Sequence, residues 1–434
     1  MTTQPDVVGA VAAPPSRTAV ATVRRRLLLF LFLLYVIAYL DRVNVGFAAL
    51  EMNRDLGFSA AVYGLGSGIF FISYTLLEVP SNLMLARVGA GVWIARIMLS
   101  WGVVSASTAF VQDATTFYVL RFLLGAAEAG FFPGIIYYLT LWFPARERGH
   151  AVALFMTATA IAGVIGGPLS SGLLLLDGAG GLRGWQWLFI VEGLPAVLLA
   201  PLVWRRLGDT PATATWLSEA EREWLTRTLA AEQVARPEAH GSLRAAFASR
   251  RLWTLAATYF STALAIYGIS FWLPQILQGL SGASAATVAL ISSVPYLAAA
   301  VAMVIVGRHS DRTGERRWHV AGSASVGAAG LALAALNSSS LVLSIAALSV
   351  AAMGVWSMLG PFWALPTAFL AGRAAAGGIA LVNSVANVGG FVGPTLMGYM
   401  RDLTGSFAAG LWLLAGGLVV GAVLVLVLPA PERP

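Results

Sequence analysis

Four ionisable side chains early in the chain interrupt stretches that are otherwise apolar. Asp41 and Arg42 break the run at 27–50, and Arg121 and Glu128 break the run at 115–142. The seven-residue spacing of Arg121 and Glu128 puts both on one helix face, nearly two turns apart. The four formal charges cancel. Protonating either carboxylate leaves a positive site that attracts an organic anion, so proton and anion would be coupled by electrostatics alone. Asp41, Arg42, Arg121 and Glu128 are therefore together candidates for coupling protons to an anion. The competing expectation is a structural ion quartet that fixes helix packing. Function is favoured because the apolar runs from 252 onward carry no acid or base away from their polar turns, whereas a structural device would be repeated there. What the later runs offer is neutral. Asn383 and Asn387 lie four residues apart on one helix face, and Tyr259 and Tyr267 lie in the run at 252–276. The two asparagines read as substrate ligands or as interhelical glue. Tyr39, Tyr74, Trp356 and Trp363 line a cavity or simply pack. Of two further acids, Glu78 reads as a gate or turn residue. Glu192 pairs with Arg183, caps a kink or takes a direct part in coupling.

The elements that must position these groups are membrane-spanning helices. The 434-residue chain is 58% hydrophobic and 11% charged, against roughly 25% charged in a soluble domain. Runs of about 20 apolar residues, enough to span a bilayer, occur near 27–50, 60–84, 93–112, 115–142, 149–174, 186–206, 252–276, 284–306, 318–337, 341–370, 375–400 and 407–428. Twelve spans put both termini on one side. Arg54, Arg183 and Arg401 fall on the opposite side and Arg42 and Arg121 inside spans, while the remaining arginines cluster with the termini. By the positive-inside rule that side is cytoplasmic, and the expected location is the inner membrane. The first run is too long and too interrupted by charge for a cleaved signal peptide.

The expected organisation is a cytoplasmic segment 1–26, a six-helix bundle 27–206, a cytoplasmic linker 207–250, a second bundle 251–428 and a tail 429–434. The linker, with Glu219, Glu221 and Glu223 around Trp216 and Trp224, reads as a solvated connector with an interfacial amphipathic helix, the competing reading being a regulatory or partner-binding role. The halves echo each other. Gly163, Gly167, Pro168 and Gly172 recur as Gly389, Gly393, Pro394 and Gly398 at an offset of 226, Arg87 and Gly89 as Arg312 and Gly314 at 225, and Pro133 as Pro361 at 228. Such near-constant offsets mark two repeats, and in secondary transporters of that layout the substrate sits between the halves near mid-membrane. The absence of Cys removes thiolate metal sites and thiol nucleophiles. None of His150, His240, His309 and His319 has a second histidine at i, i+4 spacing as an intramembrane zinc site needs. No metal, cofactor or enzymatic role is expected. The net charge of +7 is scattered over short turns and forms no stripe for nucleic acid.

The turn Gly307-Arg-His-Ser-Asp311-Arg312-Thr-Gly314-Glu-Arg316-Arg317 resembles the signature loop of the major facilitator superfamily. The resemblance implies that its Asp and Arg form a cytoplasmic gate between the halves. The equivalent first-half loop departs from that pattern, with Asn82 for the first Gly and Ala86 for the Asp. Further stretches are similar to the anion:cation symporter family, in particular its tartrate, phthalate and 4-hydroxyphenylacetate permease branch. They are Tyr39-Leu-Asp41-Arg42-Val-Asn44, Glu78-Val-Pro80-Ser-Asn82-Leu, Arg121-Phe-Leu-Leu-Gly125-Ala-Ala-Glu128-Ala-Gly130-Phe-Phe-Pro133-Gly134, Trp142-Phe-Pro144 and Glu147-Arg148. The resemblance implies proton coupling by Asp41 and Glu128, a linking role for Arg121, and substrate contact by Arg42, Tyr39, Tyr74 and Asn387.

The expectation is an all-α membrane protein of twelve helices in two pseudo-symmetric bundles. It would be a monomeric proton symporter importing a small organic carboxylate, a hydroxy, aromatic or sugar acid. Its partners would be the anion, protons and the lipid bilayer. The alternative is a proton/drug or organic-anion antiporter of the same fold. An intramembrane enzyme lacks a nucleophile beside a base at membrane depth, and a sensor lacks a sizeable output module.

Overall fold

The computed structural model describes residues 15–235, 248–337, 340–367 and 372–428. Residues 1–14 of the expected N-terminal segment, the whole expected tail 429–434, His240 and part of the expected linker lie outside them. Among the described residues twelve helices are long and apolar enough to cross a membrane. They are α1 (Thr18–Asp55), α2 (Ala60–Val88), α3 (Ala90–Phe110), α4 (Ala114–Trp142), α5 (Ala145–Leu174), α6 (Gly184–Arg206), α7 (Arg250–Ser281), α8 (Ala285–Thr313), α9 (Arg317–Leu336), α10 (Leu341–Pro366), α11 (Gly378–Thr404) and α12 (Ala408–Val427). Several outrun the apolar windows that announce them. Helix α1 begins before the Arg24–Arg26 cluster and continues through the polar turn at Glu51–Asp55, because a helix hydrogen-bonds its own backbone whether its surroundings are oily or wet. Spans start where side chains cap free amides. Ser59 accepts from Val62 N at 3.2 Å, and Asp113 accepts from Thr116 N at 2.8 Å in a reciprocal box, the contacts that orphan N–H groups require.

The helix contacts obey a two-fold rule. In the first half α1 packs on α5 and α6, α3 on α4 and α6, and α2 on α4; adding six to each number gives contacts that the second half also makes. The halves meet through α2·α11, its counterpart α8·α5, and α1·α7. Local irregularities repeat as well. Helix α4 breaks after Glu128 with Pro133 just beyond, and α10 breaks at Met358 with Pro361 just beyond.

Contact between the halves is tightest toward the end bearing the 56–59 turn. A Cβ at Gly64 would sit 2.6 Å from the Pro394 carbonyl oxygen, and one at Gly68 would sit 2.7 Å from that of Phe391. Only residues without a side chain allow backbones so near. At the same end Asp402 accepts from Ala60 N at 3.1 Å and Ala61 N at 2.8 Å, and Asn53 donates to Gln275 at 3.2 Å. The repeated glycines serve different neighbours. Gly163 and Gly167 face Tyr296 and Ser293 of the other half, whereas Gly389 and Gly393 face the backbone of α7 within their own half. The linker also differs from a free connector. Its helix Glu219–Ala235 buries Leu225, Trp216 stacks on Trp142 at 5.3 Å, and Glu232 caps Ala145 N at 2.9 Å.

Candidate functional site

Asp41 and Arg42 are neighbours in sequence and therefore about 100° apart around α1. They face different helices. Arg42 forms an ion pair with Glu128 of α4 and donates to the Tyr267 hydroxyl of α7 at 3.3 Å. Its guanidinium also lies 5.3 Å from the Phe70 and Tyr74 ring centres, within cation–π range. Asp41 turns instead toward α3, where its Oδ1 accepts from Ser105 Oγ, and it also accepts from Asn44 Nδ2 of its own helix at 3.2 Å. Its Oδ2 has no partner.

The break in α4 determines where Glu128 points. Gly130 adopts φ +88°, in the left-handed region where L-residues with a Cβ are strained. Pro133 cannot donate to the carbonyl four residues before it. The helix therefore stops at Glu128 and restarts at Phe131, which delivers the carboxylate to Arg42 from the last turn of the upper segment. Arg121, two turns earlier, has a different fate. Its Nε donates to the Gly66 carbonyl at 3.3 Å, one Nη donates to that of Ser67 at 3.4 Å, and the other Nη is unpartnered. Phe70 covers it at 5.2 Å.

All four charged groups are buried, with Arg121 at 0%, Asp41 and Glu128 at 1% and Arg42 at 6% exposure. Asp41 interacts electrostatically with Glu128 and Arg121. The four are linked by one direct ion pair, Arg42–Glu128, and otherwise by longer-range fields rather than closed into a ring. Burying such a pair earns little net stability, but removing one partner strands the other charge and costs roughly 3–5 kcal/mol.

Asn383 and Asn387 project from α11 toward α2. Both amides are engaged by Glu78, with Asn383 Nδ2 donating to one carboxyl oxygen at 2.7 Å and Asn387 Nδ2 to the other at 3.2 Å. Tyr74, one turn before Glu78, is buried beneath Arg42, and Tyr39 is buried edge-on to Tyr35. Tyr259 stacks on Phe362 and lies edge-on to Trp363. The pairing of Glu192 with Arg183 is not found. Arg183 binds Asp55 at 2.9 Å and approaches Asp177 at 3.7 Å, while Glu192 accepts from Ser170 at 3.1 Å beside Asn44 and Asp41. Arg183 immediately precedes α6, where Asp55 and Asp177 are in easier reach than Glu192, more than two turns into the helix.

The signature turn folds on itself. Gly314 takes φ +67° to end α8, Arg316 donates to Asp311 at 2.7 Å and to Ser310 at 2.9 Å, and Ser310 donates to the Glu315 carbonyl at 2.7 Å. Gly307 and Arg312 belong to the last turns of the same helix. In the equivalent first-half turn, the acid missing at Ala86 is supplied from elsewhere. Asp209, just past α6, accepts from Ala90 N at 2.8 Å and crowds Gly89, which has φ +92°. Asp209 and Ser105 were not recognisable from sequence, since neither belongs to a motif or interrupts an apolar pattern; Asn44 stood beside Asp41 with no assigned role.

Twelve spans, a two-fold contact pattern and a charged core facing the junction of the halves define a transport protein of the two-bundle kind. The sequence model of the Major Facilitator Superfamily matches residues 31–383, and the chain belongs to that family of transporters, which are not enzymes. A protein of Agrobacterium vitis named for tartrate transport is 52% identical over 410 residues, covering 94% of each chain. A protein of Acinetobacter baumannii named quinolone resistance transporter is 42% identical, covering 95% of each. The fold is also that of a bacterial homologue of the human lysosomal transporter Spinster, solved in an inward-facing, unoccupied conformation, at a TM-score of 0.72 and 18% identity over 96% of each chain.

Proposed function

We propose that the protein imports a small organic carboxylate together with protons across the cytoplasmic membrane by alternating access, with both termini cytoplasmic and the monomer as the working unit. The reading rests above all on the Arg42–Glu128 ion pair and its contact with Tyr267 of the opposite half. An anion that reaches Arg42 must compete with the Glu128 carboxylate. Protonating Glu128 withdraws that competitor and leaves the guanidinium, so proton and anion each favour the other's binding, a reciprocal coupling. The anion would then bridge Arg42 in one half and Tyr267 in the other, giving the two bundles a reason to close around it. Asp41 is the second proton acceptor. Arg121, held by backbone carbonyls instead of a carboxylate, keeps a positive field over both acids. The three contact surfaces between the halves are the ones across which rocking would occur, and the Gly307–Arg316 turn gates the cytoplasmic side together with its first-half counterpart. No cofactor enters this scheme.

A hydroxy acid of the tartrate kind is the first substrate to try, given the 52% identical relative. Labelled tartrate, phthalate, 4-hydroxyphenylacetate and sugar acids should be tested in proteoliposomes, with and without an inward proton gradient. Accumulation of at least one that collapses with the gradient supports the proposal, and gradient-independent uptake of all of them would refute it. A second reading, exchange of protons for a drug, is favoured by the 42% identical relative named for quinolone resistance. Quinolones carry a carboxylate that Arg42 could also hold, whereas cationic drugs meet Arg42 and Arg121 unfavourably. Raised resistance of cells expressing the protein would favour export over import.

A further inference from the structure

Glu78 is a buried carboxylate that the coupling scheme does not use. It lies ten residues before the end of α2, deeper toward the linker side than the glycine contacts at Gly64 and Gly68. Its two oxygens are held separately by Asn383 and Asn387, side chains one helical turn apart on α11. A pair of amide N–H donors converging on the two oxygens of one carboxylate is how a carboxylate solute would also be held. Here the carboxylate belongs to the protein, and it comes from the opposite half. The residue is 4% exposed, and its nearest charged influence is Arg42 of α1, with Tyr74 one turn away on its own helix.

We infer that Glu78 is an internal surrogate for the substrate carboxylate. In the empty transporter it occupies the Asn383–Asn387 donors and latches the halves together on the linker side of the site, and an arriving carboxylate replaces it. The inference deepens the carboxylate reading above and rests on it for the identity of the competitor, but the latch itself follows from the contact between α2 and α11 alone. Its consequence is that substrate affinity is set partly by self-competition. A site blocked by its own ligand for nine-tenths of the time binds about tenfold more weakly than the free site.

The native chain contains no cysteine, so nitroxides can be placed at Leu83→Cys and Ala380→Cys, on α2 and α11 beyond the latch. In the absence of substrate, Glu78→Gln and Glu78→Ala should lengthen or broaden the distance distribution between them by double electron–electron resonance. An unchanged distribution in both overturns the latch. Tartrate binding to the purified full chain, measured by calorimetry, should be about tenfold tighter in Glu78→Ala than in wild type. It should be weaker than wild type in Asn383→Ala/Asn387→Ala, which removes latch and donors together. Equal or weaker binding by Glu78→Ala overturns the surrogate role. If the distance widens in the Glu78 variants while no protein, wild type included, binds tartrate or another carboxylate, the latch stands and the carboxylate reading of the site fails instead.

Discussion

The two halves share a packing plan and differ in chemistry. Helix contacts, the broken helices with their prolines and the turn glycines recur across the pseudo-two-fold. Yet among the described residues every buried Asp, Glu and Arg lies in the first half, at Asp41, Arg42, Glu78, Arg121, Glu128 and Glu192, while the buried polar groups of the second half are neutral, hydroxyls of Ser and Thr together with groups on Tyr and Trp such as Tyr296 and Trp272. Two equivalent scaffolds thus carry unequal loads. One half holds the charges and the other answers with neutral groups: the Tyr267 hydroxyl accepts from Arg42, and the Asn383 and Asn387 amides donate to Glu78. A duplicated fold lets one copy specialise, because the desolvation cost of buried ions need be met only once.

The sharpest break of this asymmetry is at its acids. Glu128→Gln and Asp41→Asn should each abolish gradient-driven accumulation of the anion in proteoliposomes while leaving anion exchange measurable; full accumulation in both would mean the charged half has no part in coupling. Next in size, Arg42→Ala strands Glu128 and should lower stability in detergent by roughly 3–5 kcal/mol, read as a fall in the unfolding midpoint. Adding Glu128→Gln to Arg42→Ala should recover most of that loss. Gly64→Ala forces a methyl onto the Pro394 carbonyl at the contact between halves. It should cost about 1–3 kcal/mol in the arrangement closed at the 56–59 end, seen as faster labelling of a single cysteine placed at Asn53. Smallest is the neutral partner: Tyr267→Phe removes one hydroxyl from Arg42 and should weaken anion binding by about 0.5–1.5 kcal/mol without moving its pH dependence.

Sequence periodicity and charge were enough to read the twelve spans, the repeat and the charged positions, because a bilayer tolerates few alternatives to long apolar helices. The partners of those charges were not legible. Asp41 and Arg42 are adjacent in sequence and point to different helices. Arg121 donates to carbonyls that carry no sequence signal, and Asp209 caps α3 from beyond α6. The two asparagines were correctly seen as one helix face, but their engagement by Glu78 depends on how α11 crosses α2, which neither sequence reveals alone. Arg183 went to Asp55 and Asp177 rather than Glu192 for the same reason: distance between helices, not along one, decides.

The most direct test of the central claim, that Glu128 and the anion compete for Arg42, is proton uptake by purified protein in weak buffer when tartrate or another bound carboxylate is added. A pH-sensitive dye should report net proton uptake on binding in the wild type, and that uptake should be largely lost in Glu128→Gln. Binding with no proton taken up, or with the same uptake after Glu128→Gln, would contradict it.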